Sequence, residues 1–142
     1  MTRMSNAEKQ QFLAGLHVGV LSIAQPGRGP LTVPVWYDYT PGGDLWFLTG
    51  ADSRKGRLLQ VGGWISLCAQ TETPPYQYVS VEGQIASIEA ATSETQPMAI
   101  RYLGEEMGRA YAQANAADGS VVVRMQPKHW LAVDYSKGNP LG

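Results

Sequence analysis

Apolar and polar residues alternate along much of this chain with a period of two, the spacing of strands that bury one face. His17 to Ala24 (HVGVLSIA) is rich in β-branched residues and closes on the turn cluster Pro26-Gly27-Arg28-Gly29. From 31 to 40, Leu31, Val33, Val35, Tyr37 and Tyr39 alternate with Thr32, Pro34, Trp36 and Asp38, and Pro41-Gly42-Gly43 ends the run. The next segment, DLWFLTG (44–50), is predicted to pair with it as a hairpin. Pro34 has no N–H to give to a ladder, so this strand is expected to have an edge, a bulge or a ligand at that point. WISLCAQT (64–71) and YQYVSVEGQIASIE (76–89) are two further strands separated by Pro74-Pro75. In the second, Val79, Val81, Ile85 and Ile88 form the apolar side and Gly83 marks a bulge or bend. SVVVRMQP (120–127) and KHWLAVDYS (128–136) predict two more strands.

Three segments break the alternation. Ser5 followed by Glu8 has capping-box spacing and opens a short helix that ends at Gly15. ADSRKGRLLQVG (51–62) turns helical after Asp52 or Ser53, with Leu58, Leu59 and Val61 available for burial. Ala91 to Ala117 is the one extended helical region, with Met98, Tyr102, Met107 and Tyr111 at three-to-four spacing and Pro97 and Gly104 placed to split it. The predicted fold is mainly β with α: a six- to seven-stranded antiparallel barrel, closed or nearly closed, with short flanking helices. The inside of so small a barrel is filled by side chains, so a ligand must bind in a groove beside it or between two copies.

Composition narrows the class. With 142 residues, 44% apolar, the chain is expected to form a single domain over 1–142. Sixteen glycines and nine prolines are too much punctuation for long helices. A net charge of -1 gives no global attraction to nucleic acid or to an anionic membrane. The single Cys68 fits a reducing compartment, and with only His17 and His129 beside it no spacing reads as a zinc site. The polar start MTRMSNAEKQQ and the lack of a long apolar run predict a soluble, cytoplasmic protein.

The candidate chemistry concentrates in Thr49 to Arg57, where Arg54, Lys55 and Arg57 crowd the first turn of a predicted helix. Cations there oppose the helix dipole unless an anion offsets them. Backbone amides, the Thr49 and Ser53 hydroxyls, the Arg54 fork and the Lys55 ammonium make a cradle for a phosphate. The alternative is a solvated turn balanced by Asp52. Trp36, Tyr37 and Tyr39 on one strand, with Trp46 and Phe47 on the next, are core packing or one wall for a planar heterocycle. Cys68 reads as a buried structural thiol, and His17 and His129 as structural histidines. No Ser-His-Asp order, carboxylate pair or P-loop is present, which removes hydrolase and kinase readings. The sequence nominates no catalytic group.

PVWYDY, DLWFLTGADSRK, YVSVEG and a closing KHWLAVDY, in that order, resemble the pyridoxamine 5'-phosphate oxidase-like family of flavin-binding split β-barrels, over roughly Phe12 to Tyr135. The resemblance implies that Arg54 and Lys55 contact a cofactor phosphate and that Thr49 and Ser53 hydrogen-bond it. It implies that Val33, Pro34, Val35 and Trp36 supply backbone along the isoalloxazine ring. It also implies a homodimer with two equivalent sites between subunits, in which Gln70 and residues near Trp130 approach a cofactor held mainly by the other chain. Members that oxidise pyridoxamine phosphate are longer and end in an Arg-containing segment, so that reaction is not expected here. The short form is more similar to the actinobacterial branch that uses the deazaflavin coenzyme F-420. This implies an oxidoreductase passing hydride to a small conjugated or heteroaromatic substrate, with Arg57 and Arg28 available to the acidic tail of the coenzyme. FMN-dependent oxidase or reductase chemistry is the first alternative, and a non-catalytic flavin, deazaflavin or tetrapyrrole-binding module the second.

Overall fold

The edge strands of the sheet are neighbours in the chain, and this fact shapes the molecule. The computed structural model describes residues 2–115 and 119–138. Its strands are β1 (Gly19–Gln25), β2 (Arg28–Val35), β3 (Asp38–Tyr39), β4 (Leu45–Gly50), β5 (Trp64–Gln70), β6 (Gln77–Ala90) and β7 (Ser120–Asp134). Its α-helices are α1 (Asn6–Ala14), α2 (Arg54–Leu58), α3 (Thr95–Leu103) and α4 (Glu105–Ala114). The strands form one seven-stranded sheet in the order β2-β1-β5-β6-β7-β4-β3, antiparallel throughout. Only Trp36 and Tyr37 separate edge strand β2 from edge strand β3. The sheet must therefore curl until its two edges nearly meet, which makes a split barrel with the opening at that join.

Leu21, Ile23, Leu45, Phe47, Ile65, Leu67, Val79, Val81, Ile85, Val123 and Met125 fill the interior. Tyr37 is fully buried at the split and donates its hydroxyl to Leu13 O at 2.6 Å, which ties the join to α1. Burial holds the Tyr37 phenol well above its ordinary pKa, so it stays a neutral donor.

The structure corrects three expectations. Segment 31–40 does not pair with 44–50 as one hairpin: β2 pairs with β1 across the Pro26-Gly27 turn, and only Asp38 and Tyr39 pair with β4. Closing two residues is the smaller loop cost, and the alternation of side chains does not choose a neighbour. The two predicted C-terminal strands are one fifteen-residue strand, β7. Pro127 is tolerated in it because it lies opposite Gly83 where the β6 register shifts, the predicted bulge. A Cβ on Gly83 would fall 2.0 Å from Gln126 O, so only glycine allows that approach. The helix predicted over 51–62 is only five residues long. The longer helical region divides at Gly104 as predicted, and its Ala116 and Ala117 lie outside the described residues. Pro34 sits on the outer strand of the sheet, so its missing N–H costs little.

α1 begins with the predicted capping box: Ser5 accepts from Glu8 N–H, and the Glu8 carboxylate accepts from Ser5 N–H at 2.7 Å. Lys137 also donates to Glu8, and this contact leads the causes that pull the carboxyl from 4.5 to about 2. The folded pKa lies below the unfolded one, so the stabilisation is complete above about pH 4.5 and disappears as pH falls toward 2. Glu8→Gln is expected to melt slightly below wild type at neutral pH. The two melting curves should converge between pH 4.5 and 2; a gap that persists at the acid end would show that the carboxylate charge is not responsible.

Among the described residues no helix is long and apolar enough to cross a membrane.

Candidate functional site

Strand β4 ends at Gly50, and the chain turns sharply into α2. Ser53 shapes this turn: its N–H and its hydroxyl both donate to Gly50 O, at 3.1 and 2.7 Å. The same hydroxyl accepts from Gly56 N–H at 3.0 Å and lies 3.1 Å from Thr49 Oγ1. Its one proton is committed to Gly50, so Thr49 donates to Ser53. Ser53 is thus consumed by the turn and presents Lys55 rather than facing a ligand itself. With only five residues, α2 contributes little dipole, and the charge at this site is that of the Lys55 side chain.

A cavity of about 560 Å³ opens beside the split of the barrel. Its walls come from the end of β2 (Pro34 and Val35) and the adjoining Trp36, from Val18, and from Leu48, Thr49 and Gly50 of β4. Lys55 and Ser120 complete it on one side, and Thr95, Met98, Tyr111 and Asn115 from the helical hairpin cover it. Gly50 and Ser120 are paired in register, so Thr49, Gly50, Lys55 and Ser120 form a polar end. The remaining lining is mostly apolar, with Trp36 as its largest side chain. Trp36 stacks on Tyr102, with ring centroids 5.1 Å apart and planes 6° from parallel, and meets Tyr111 at 5.5 Å and 53°. One cation at one end and flat apolar walls elsewhere suit a planar molecule with an anionic tail.

Five of the residues nominated from sequence line the cavity: Pro34, Val35, Trp36, Thr49 and Lys55. Val33, Ser53, Arg54, Gln70 and Trp130 lie elsewhere, as do Arg28 and Arg57. Val33 packs against the core. Ser53 sits beneath the turn, and Arg54 is exposed with Nη2 donating to Gln25 Oε1 at 2.9 Å. Arg28, exposed and paired in register with Gln25, lies beside that contact, and Arg57 is exposed. Gln70 is exposed at the end of β5, opposite Tyr78. Trp130 packs edge-on to Tyr39 at 6.0 Å, with the Lys9 ammonium 5.0 Å from its ring, while Leu131 next to it is exposed.

Met98 and Tyr111 carried a sequence signal, their helical spacing, but that spacing reads equally well as core. Nothing local marked Val18, Leu48, Thr95, Asn115 or Ser120 as lining residues.

The outward face of the sheet also bears on the site. Pro34, Val20, Cys68, Ser80 and Leu131 lie in one cross-strand row, each opposite the next. Val20 is 37% exposed and Leu131 58% exposed, and Val18 at the cavity wall is 52% exposed. Burial raises the pKa of the Cys68 thiol, which leaves it a poor nucleophile. Burial lowers that of His17, whose ring stacks on Phe12 at 4.4 Å, so it packs as a neutral ring. Among the described residues no cluster of His, Cys, Asp and Glu could hold a metal ion.

A family model described as pyridoxamine 5'-phosphate oxidase matches residues 5–134. No curated protein sequence matches the chain. Among solved structures, a conserved hypothetical protein of Mycobacterium tuberculosis is similar at 24% identity, with a TM-score of 0.74 over 96% of this chain and 88% of that one. An F-420 reductase is similar at 18% identity, TM-score 0.62, over 86% and 94% of the two chains. The heme storage protein HutZ of Vibrio cholerae is similar at 16% identity, TM-score 0.64, over 89% and 93%. At these identities the likeness is one of fold.

Proposed function

The chain belongs to the pyridoxamine 5'-phosphate oxidase family, and from that premise we propose that it is a cytoplasmic, homodimeric oxidoreductase using the deazaflavin coenzyme F-420. The observation that carries this reading is the cavity itself, with Lys55 at its polar end and Pro34, Val35 and Trp36 along a flat wall. Bound there, the reduced coenzyme supplies a hydride, and the acceptor is a small conjugated or heteroaromatic molecule. Lys55 holds the phosphate. Thr49 and Gly50 shape that end of the cavity, and Arg54 reaches in from the rim on leaving Gln25. The β2 wall aligns the ring, and the helical hairpin limits water at the reacting face. Arg54 and Arg28, adjacent through Gln25, suit an acidic extension beyond the phosphate. The likeness in fold to an F-420 reductase supports a flavin-type cofactor, and the deazaflavin is preferred to FMN because only its acidic tail would use Arg54 and Arg28.

The uncharged outward row supports the dimer. Val18 belongs to both the cavity wall and the exposed apolar face. A second copy seated on that face would close the open side of the cavity. Gln70 and Leu131, the neighbour of Trp130, would lie at that contact.

A fluorescence titration with F-420 and with FMN tests the cofactor assignment. Wild type is expected to bind F-420 more tightly than FMN. Lys55→Ala should weaken F-420 binding about ten- to a hundredfold, the worth of one charge-assisted contact. Arg54→Ala should weaken it less. FMN binding more tightly would move the assignment to FMN. Tight F-420 binding with no turnover of any hydride acceptor would favour a carrier, a reading for which the heme storage neighbour gives a precedent in fold.

A further inference from the structure

Trp36 and Tyr37 link the two edge strands and lie outside both ladders, so the buried backbone of Tyr37 must find partners elsewhere. Both come from consecutive residues of α3. Tyr102 Oη accepts the Tyr37 N–H at 3.0 Å and lies 2.5 Å from His17 O and 2.9 Å from Tyr37 O. A phenol has one proton to give, and the nearer acceptor is His17. Tyr37 O is then left to Arg101 Nε, at 3.1 Å. Arg101 Nη2 also donates to Ala14 O at 3.2 Å and Gly15 O at 2.8 Å, where the C-terminal carbonyls of α1 favour a cation. Its Nη1 lies 3.4 Å from Asp38 Oδ1. Arg101 and Tyr102 thus stand in for the strand partner missing at the split, and they fasten the end of α1, the approach to β1 and the β2–β3 join to one helix.

This clasp touches the cavity through a single ring. Neither Arg101 nor Tyr102 lines the cavity, but the Tyr102 ring lies flat against Trp36, which does. We propose that Arg101 and Tyr102 are positioning residues that fix the Trp36 indole as a cavity wall and thereby set the affinity for a planar ligand. The proposal rests on the reading of the cavity as a flavin-type cofactor site. Tyr102→Phe keeps the ring and removes the hydroxyl that Tyr37 N–H needs.

The test is a double-mutant cycle with Trp36→Ala, read by F-420 and FMN titration, together with near-ultraviolet circular dichroism of the ligand-free protein. The Trp36 band is isolated by difference from Trp36→Phe. Tyr102→Phe is expected to alter the Trp36 band in the folded, ligand-free protein. It should weaken cofactor binding about tenfold when Trp36 is present and leave it unchanged in the Trp36→Ala background. An equal loss in both backgrounds would reduce Tyr102 to general support of the fold and overturn the proposal, as would an unaltered band with unaltered affinity. If Tyr102→Phe does not fold, Arg101→Lys is carried through the same cycle, where the same results support or overturn the proposal. Should wild type bind neither cofactor, the proposed function fails, and the Trp36 band of the ligand-free variant still decides the clasp.

Discussion

Gly56→Ala is expected to leave the barrel folded and to remove nearly all cofactor binding, a larger loss than Lys55→Ala. A Cβ at position 56 would lie 2.1 Å from Gly50 O and 2.8 Å from Ala51 O. Both are backbone atoms, so the methyl is accommodated only by prising α2 away from the end of β4. That movement breaks the bond from Gly56 N–H to Ser53 Oγ and the pair from Ser53 to Gly50. Lys55, adjacent in sequence, leaves the cavity with them. Forced overpacking of this kind costs about 1–3 kcal/mol. The strand ladders do not pass through this turn, so the far-ultraviolet circular dichroism of the barrel should persist. Binding of F-420 should fall by more than about a hundredfold, the loss of the Lys55 contact together with the turn that presents it. Gly29→Ala is the control, since nothing lies within 4 Å of a Cβ there, and it should bind as wild type does. Affinity within about threefold of wild type in Gly56→Ala would mean that the turn does not build the anion end.

The turn was legible in the sequence because everything it needs lies within eight residues, from Thr49 to Gly56. The same is true of the capping box on α1 and the division of the helical region at Gly104; the glycine at 83 marked its bulge, although the contact that requires it, with Gln126 O, lies on β7. What could not be read depends on distance along the chain. Alternation fixes which face of a strand is buried, but it does not say which strand lies alongside. It also runs unbroken through Trp36 and Tyr37, although there the chain leaves one edge of the sheet for the other. The proline at 127 argues for two strands until the bulge opposite it is known. The role of Arg101 and Tyr102 was invisible for the same reason: their partners, Ala14, Gly15, His17 and Tyr37, lie at least 64 positions away. Five of the ten nominated site residues line the cavity because a strand end and a tight turn are local objects. The other walls come from a helical hairpin whose apolar spacing suits a core and a cavity equally well.

Val20→Asp is expected to convert the proposed dimer into a monomer at micromolar concentration and to weaken cofactor binding with it. Outward positions of a solvated antiparallel sheet are ordinarily polar. Here Val20 and Leu131 stand outward in a row with Pro34, Cys68 and Ser80, and no member of that row carries a charge. Such a face invites a partner, and an apolar face paired with its own copy forms a two-fold contact. An aspartate at its centre appears twice and is stripped of water on both sides. Leaving charges desolvated and unpaired costs about 3–5 kcal/mol, enough to shift a submicromolar dimer to monomer at micromolar concentration. Light scattering reads the outcome directly, and acidification should partly restore the dimer as the two carboxyls are neutralised. Leu131→Ala, which only trims the face, should weaken association without abolishing it. Val18 connects the two effects, because it stands both in the cavity wall and on the outward apolar surface. A wild-type monomer at micromolar concentration would refute the dimer. A monomeric Val20→Asp variant that binds F-420 as tightly as wild type would refute only the shared site, since each chain would then hold the cofactor with its own walls.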